Sequence, residues 1–206
     1  LTDFIPYGRQ NISQEDINAV LAVLRSNFLT QGPVINSFEQ SVSKNVGARH
    51  AVAVNSATSA LHIACKALEL GHGDQLWTSP NTFVASANCA RYCGADVDFV
   101  DIDPLNWNIS ANKLEEKLNK HRTEGLPQPK VVVPVHFSGQ PTEQEKIWEL
   151  AQEFEFKVLE DASHSIGSSK NGEPVGSCRW SDITVFSFHP VKIITSGEGG
   201  MALTND

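Results

Sequence analysis

The sequence predicts an α/β domain with a mostly parallel sheet covered by helices on both faces. Two observations carry this prediction. Short apolar runs without polar alternation, as in buried parallel strands, recur along the chain, and stretches with helical spacing stand between them. Capping and turn residues mark the boundaries, and no linker, internal repeat or low-complexity segment interrupts the alternation.

Ser13 is an expected N-cap, with Asp16 three residues later, before an apolar helical run to Leu24. A second helix is expected after Pro33, then a buried strand over Ala51–Val54. Ala57 to Leu70 has helical spacing and ends at Gly71, an expected C-cap. Strand Gln75–Thr78, a helix from Phe83 to Tyr92 and strand Val97–Val100 follow. Next come a helix from Ser110 to Leu118, an exposed loop over His121–Pro129, strand Val131–Val135 and a helix from Thr142 to Phe154. Strands at Lys157–Leu159, Ile183–Phe186 and Gly200–Leu203 complete the alternation.

With 206 residues, 40% of them hydrophobic, the chain can bury the core of one domain over residues 1–206. A net charge of -8 without any basic run argues against a nucleic-acid surface. No apolar stretch approaches the ~20 residues that span a bilayer, and no signal pattern stands at the N-terminus. A cytoplasmic protein with no membrane partner is the expectation. Cys65, Cys89, Cys93 and Cys178 form no CxxC pair, and the seven histidines form no HExxH arrangement. No metal site is expected. P-loop, dinucleotide-binding and G-x-S-x-G patterns are also absent.

The chemistry concentrates in Ser187-Phe-His-Pro-Val-Lys192-Ile-Ile-Thr-Ser-Gly-Glu-Gly-Gly200, between an apolar strand and a glycine-rich turn. Desolvation or a nearby cation disfavours a charged lysine, and the neutral amine can then bond covalently to a carbonyl. An ordinary solvated loop lysine is the alternative. Asp161 follows strand Lys157–Leu159, at the strand edge where α/β sheets bind ligands. It reads equally as a capping aspartate. Asn55-Ser-Ala-Thr-Ser59 sets small residues where a strand turns into a helix, suited to an anion or to simple capping by Ser56. Phe83 is placed either to stack on an aromatic ligand or to fill the core.

The lysine segment resembles that of the DegT/DnrJ/EryC1/StrS sugar aminotransferases, close to S-F-H-x-x-K-x-x-x-x-G-E-G-G. Every fixed position is present. Resemblance extends upstream through Ile5-Pro-Tyr-Gly-Arg-Gln10, Leu29-Thr-Gln-Gly-Pro33 and Asn55-Ser-Ala-Thr-Ser-Ala-Leu61. It implies a fold-type-I, aspartate-aminotransferase-like large domain that binds pyridoxal 5′-phosphate. The family's smaller C-terminal domain is expected to be absent from this chain, leaving the cofactor domain alone, and incomplete.

By the same resemblance Lys192 is the covalent anchor and proton carrier, and Asp161 faces the ring nitrogen. His164 stands near the ring hydroxyl, where many relatives have glutamine; a loop histidine satisfied by backbone is the alternative. Ala57, Thr58 and Ser187 are implied to hold the phosphate, Phe83 to stack on the ring, and Thr30 to contact substrate. The Asp-x-Ser-His order is similar to the subgroup acting in pseudaminic acid biosynthesis. That implies amino transfer from L-glutamate to the C4 keto group of a UDP-linked deoxy sugar. Perosamine, 4-amino-4-deoxyarabinose and bacillosamine enzymes share the motifs and stay open, as does a cofactor-binding fragment without turnover. Sugar dehydrases of the fold carry histidine at the lysine position. Relatives work as dimers, so a homodimer is expected.

Overall fold

The computed structural model describes residue 6 and residues 8–206; Ile5 and Tyr7 of the N-terminal motif lie outside the described residues. Helix α1 (Gln14–Leu24) opens with the expected capping box, in which Ser13 and Asp16 each take the other's backbone N–H. No residue of α1 is buried. Helix α2 (Pro33–Val46) starts on a proline and stops at Gly47, whose φ of 83° only glycine adopts freely.

The sheet follows with strands β1 (His50–Val54), β2 (Gln75–Thr78), β3 (Asp96–Phe99), β4 (Val131–Val133) and β5 (Lys157–Asp161). Helices α3 (Ala57–Ala67), α4 (Ala85–Tyr92), α5 (Ala111–Glu124) and α6 (Gln144–Phe154) connect them. A short hairpin, β6 (Ser169–Lys170) and β7 (Glu173–Pro174), precedes β8 (Ile183–Ser187) and β9 (Gly200–Thr204). Seven strands form one sheet in the order β1-β9-β8-β5-β4-β2-β3. The pairs among β8, β5, β4, β2 and β3 are parallel, while β9 runs antiparallel to both β8 and β1.

Side-chain alternation splits the core between the two faces. Leu76, Val131 and Val133 pack with Leu61 and Ala64 of α3 and Cys89 of α4. Trp77 and Val132 instead pack with Leu114 and Leu118 of α5 and Ile147 of α6. A third cluster joins Val42 and Val46 of α2 to Phe186, Phe188 and Met201. The predicted two-sided α/β sandwich is therefore present. Burial of these apolar faces is its main favourable term, at roughly 25 cal/mol per Å² removed from water.

Two local expectations need correction, and one element has no counterpart in the sequence reading. Helix α3 stops before Gly71, because Glu69 takes the left-handed turn at φ 58° and the Leu70 N–H reaches back to the Cys65 carbonyl. Helix α5 runs on through His121–Glu124, which composition assigns to a loop. His121 packs edge-on against Trp77 with ring centroids 4.7 Å apart, and Arg122 lies over the Phe154 ring, so this charged turn still has a packed face. The loop begins only at Gly125, at φ 65°. The hairpin at β6 and β7 was unforeseen; its turn is Asn171-Gly172, both at positive φ.

Candidate active site

The C-terminal ends of β2, β4, β5 and β8 and the start of α3 enclose a cavity of about 460 Å³. This is where ligands bind in parallel α/β sheets. Of the residues singled out in the sequence, Ala57, Thr58, Phe83, Asp161, His164, Ser187 and Lys192 all line it. Thr30 does not; it lies exposed between α1 and α2.

Register explains why the two ends of the sequence meet here. Gly200 pairs with Val54 of β1 on one side and with Ser187 of β8 on the other. A Cβ on Gly200 would stand 2.3 Å from the Ser56 carbonyl carbon and 2.4 Å from the Ala57 nitrogen. Only glycine lets β9 pass this close to the start of α3. Ser187 is thereby carried alongside Ala57 and Thr58.

At the start of α3 the Ser56 hydroxyl takes the Ser59 N–H and the Ser56 carbonyl takes the Ala60 N–H. A helix start has four amide donors without intrahelical carbonyls, so those of Ala57 and Thr58 remain at the cavity wall. With the helix dipole they suit a phosphate. Ser56 does act as N-cap, and the capping and anion readings hold together.

Asp161 ends β5 and is 5% exposed. Its Oδ2 accepts from the Ser86 hydroxyl at 2.6 Å, and its Oδ1 accepts from the Ser163 hydroxyl at 2.6 Å and the Ser163 N–H at 3.2 Å. Thr82 in turn contacts Ser86 at 2.7 Å. Oδ2 keeps an acceptor position for a donor in the cavity. Phe83 is 74% exposed, which excludes the core reading and leaves its ring at the cavity.

Lys192 Nζ lies 2.5 Å from His164 Nε2. Burial holds the Lys192 amine below the ordinary lysine value, with the Asp161 charge opposing. Burial also holds His164 below the ordinary imidazole value, helped by Lys192 and opposed by Asp161. Both shifts favour the neutral forms. The backbone under His164 is fixed by Gly139, at φ 87°, where a Cβ would come within 2.7 Å of the His164 carbonyl oxygen.

Sequence reasoning missed Ser86, Ser163, His136 and Phe137. Ser86, His136 and Phe137 reach the site from other elements, so no shared spacing pattern marks them; Ser86 and Ser163 carry local signals, one helical turn after Phe83 and two residues after Asp161.

The donor set fits pyridoxal phosphate: two free amides and a hydroxyl for its phosphate, a buried carboxylate for its ring nitrogen, an aromatic for its face and a depressed lysine for its aldehyde. Similar proteins agree. The profile of the DegT/DnrJ/EryC1/StrS aminotransferase family matches residues 10–206. Spore coat polysaccharide biosynthesis protein SpsC of Bacillus subtilis (strain 168) is 42% identical over 98% of this chain and 50% of its own length. UDP-4-amino-4,6-dideoxy-N-acetyl-beta-L-altrosamine transaminase of Campylobacter jejuni is 41% identical over 98% of this chain and 52% of its own length. The chain thus spans about half the length of these curated relatives. Among solved structures, Helicobacter pylori PseC, an aminotransferase of pseudaminic acid biosynthesis, superposes with a TM-score of 0.89 at 34% identity, covering 98% of this chain and 52% of PseC. NtdA of Bacillus subtilis, solved with bound cofactor PMP, the aminated form of pyridoxal phosphate, gives 0.82 at 30% identity over 92% of this chain and 41% of its own.

Proposed function

Because this chain belongs to the DegT/DnrJ/EryC1/StrS aminotransferase family, whose cofactor is pyridoxal phosphate, we propose that it is the cofactor-holding part of a nucleotide-sugar transaminase. The reaction proposed is amino transfer from L-glutamate to the C4 keto group of a UDP-linked deoxy sugar. The convergence of Lys192, Asp161 and the Ala57–Thr58 amides on one cavity carries the reading. Similarity to the Campylobacter transaminase and to PseC supports the sugar.

When bound, the cofactor supplies an electron-withdrawing ring that stabilises negative charge on the substrate carbon. The chain's residues do the rest. Ala57 and Thr58 donate backbone N–H groups to the phosphate, and Ser187 adds its hydroxyl. Asp161, held by Ser86 and Ser163, keeps the ring nitrogen protonated. Lys192 anchors the cofactor through its amine and, once displaced by the amino donor, carries the proton to and from the reacting carbon. His164 Nε2 shares a hydrogen bond with the Lys192 amine and holds it toward the cavity. Phe83 covers one face of the ring and excludes water from it.

Among the described residues, Lys192 is the only lysine or arginine lining the cavity. Glutamate and a nucleotide diphosphate need further cations, which this reading assigns to a second copy and to the remainder of a longer protein. Phe83, Val191 and Ile193, exposed at 74%, 61% and 67% beside the site, suit a homodimer contact there. The same shortage of cations favours a second reading for the chain by itself: it binds the cofactor without turnover. No helix of the described residues is long and apolar enough to cross a membrane. A cytoplasmic enzyme remains the proposal.

The test is a pair of half-reactions with the full-length protein, followed by cofactor absorbance. L-glutamate should aminate the cofactor, and a panel of UDP- and GDP-linked 4-keto sugars should reverse this most rapidly for a UDP sugar. Preference for a GDP sugar would remove the proposed substrate, and failure of the glutamate step would remove the transaminase.

A further inference from the structure

Glu160 stands one residue before Asp161 but on the opposite side of β5, and it is 1% exposed. Three side-chain donors converge on it, with the His136 ring beside them. Gln144 Nε2 lies 2.6 Å and His136 Nε2 3.3 Å from Oε1, while Thr184 Oγ1 lies 2.7 Å and Ser181 Oγ 3.0 Å from Oε2. Gln144, Thr184 and Ser181 take three of the roughly four acceptor positions of an ionised carboxylate, and a proton on Oε1 would face the His136 ring instead of accepting from it. Burial pushes the Glu160 carboxyl up, and the Gln144, Thr184 and Ser181 donors oppose it.

His136 Nδ1 accepts the Thr142 N–H at 3.0 Å, so that nitrogen carries no proton and the imidazole is the neutral Nε2–H form. No lysine or arginine among the described residues forms an ion pair with Glu160. Its charge is thus held by side-chain dipoles, behind the cavity wall. Main-chain bonds beside it tie β5 to the segment after β4: the His136 backbone N–H donates to the Asp161 carbonyl at 3.1 Å, and the Asp161 backbone N–H to the Pro134 carbonyl at 3.0 Å. Thr184 belongs to β8.

The geometry points to Glu160 as a positioning residue, a buried carboxylate that fixes Asp161 at the strand end and keeps the cavity's field negative. The titratable groups beside Glu160 are His136 and Cys178, whose thiol is pushed up to about 11, chiefly by burial. Across the strand, Asp161, His164, His189, Lys192 and Glu198 line the cavity. A standing negative charge there raises the proton affinity of every nitrogen base in range. The consequence for the cofactor rests on the reading of Asp161 as the ring-nitrogen partner; the consequence for His164 does not.

The experiment compares wild type with Glu160→Gln, Thr184→Val and Gln144→Lys. NMR follows the His164 ring through a pH titration without cofactor, and absorbance gives the Kd for pyridoxal phosphate. Glu160→Gln should lower the His164 midpoint by about half a unit and weaken cofactor binding about tenfold. Gln144→Lys keeps the carboxylate, supplies a counter-ion from the start of α6, and should lower the midpoint in the same direction; it decides the matter if Glu160→Gln does not fold. Thr184→Val removes a donor but not the charge, and should leave the midpoint in place. An unmoved midpoint in both charge variants, or equal movement in Thr184→Val, overturns the inference. Midpoints that move as expected in a protein that fails to bind pyridoxal phosphate would instead overturn the cofactor reading and leave the charge effect standing.

Discussion

The Lys192 amine and the His164 ring face each other at 2.5 Å, and burial depresses the proton affinity of both. For each base the unfolded chain binds the proton at higher pH than the folded one. Stability therefore rises with pH through the window below each ordinary value. For His164 it is fully present above 6.5 and is lost as pH falls from there towards the depressed folded value. Urea midpoints measured between about pH 8 and pH 5 should decline, and His164→Gln should flatten that decline. An unchanged slope would show that His164 is not the group responsible.

Replacing the lysine tests the anchor itself. Lys192→Ala should bind pyridoxal phosphate only noncovalently, losing the absorbance near ~420 nm and all transamination in the full-length protein. Retention of both would remove Lys192 from its assigned place.

Gly200→Ala would force a methyl group against the backbone of Ser56 and Ala57. Separation of β9 from the start of α3 should cost about 1–3 kcal/mol of stability and weaken phosphate-dependent cofactor binding. Comparing Kd for pyridoxal phosphate with that for pyridoxal reads the second effect: the phosphate's advantage should shrink.

Ser86→Ala removes the hydroxyl that donates to Asp161 Oδ2. A buried carboxylate without that donor should cost about 1–2 kcal/mol and loosen cofactor binding, with Ser86→Thr recovering part of the loss. Thermal denaturation and cofactor titration measure both. Equal behaviour of the two variants would mean that the hydroxyl is not what supports Asp161.

The lysine segment and the small-residue turn after β1 were legible because each packs its chemistry into consecutive residues. Apolar runs also gave the strands, since burial on both faces leaves little polar alternation. The strand order was not legible: nothing in Gly200–Thr204 itself announces that β9 slips between β1 and β8 in the opposite direction. The charged end of α5 misled composition because stems of charged residues pack too, as Arg122 does on Phe154. Asn171-Gly172 did carry a hairpin signal. The bond from Ser86 to Asp161 and the Glu160 network were not legible for a different reason, because their partners come together only when separate elements pack.

The antiparallel placement of β9 also bears on how the protein assembles. Strands β8 and β9 are sequence neighbours, and their joining segment, which carries Lys192, is closed at its base by Phe188 N–H bonding to the Gly199 carbonyl at 2.9 Å. A hairpin of this kind forms at small loop-closure cost, whereas pairing His50 with Thr204 must close about three quarters of the chain. The lysine loop is therefore expected to gain hydrogen-exchange protection early in refolding, and the phosphate-binding turn only when the first strand docks.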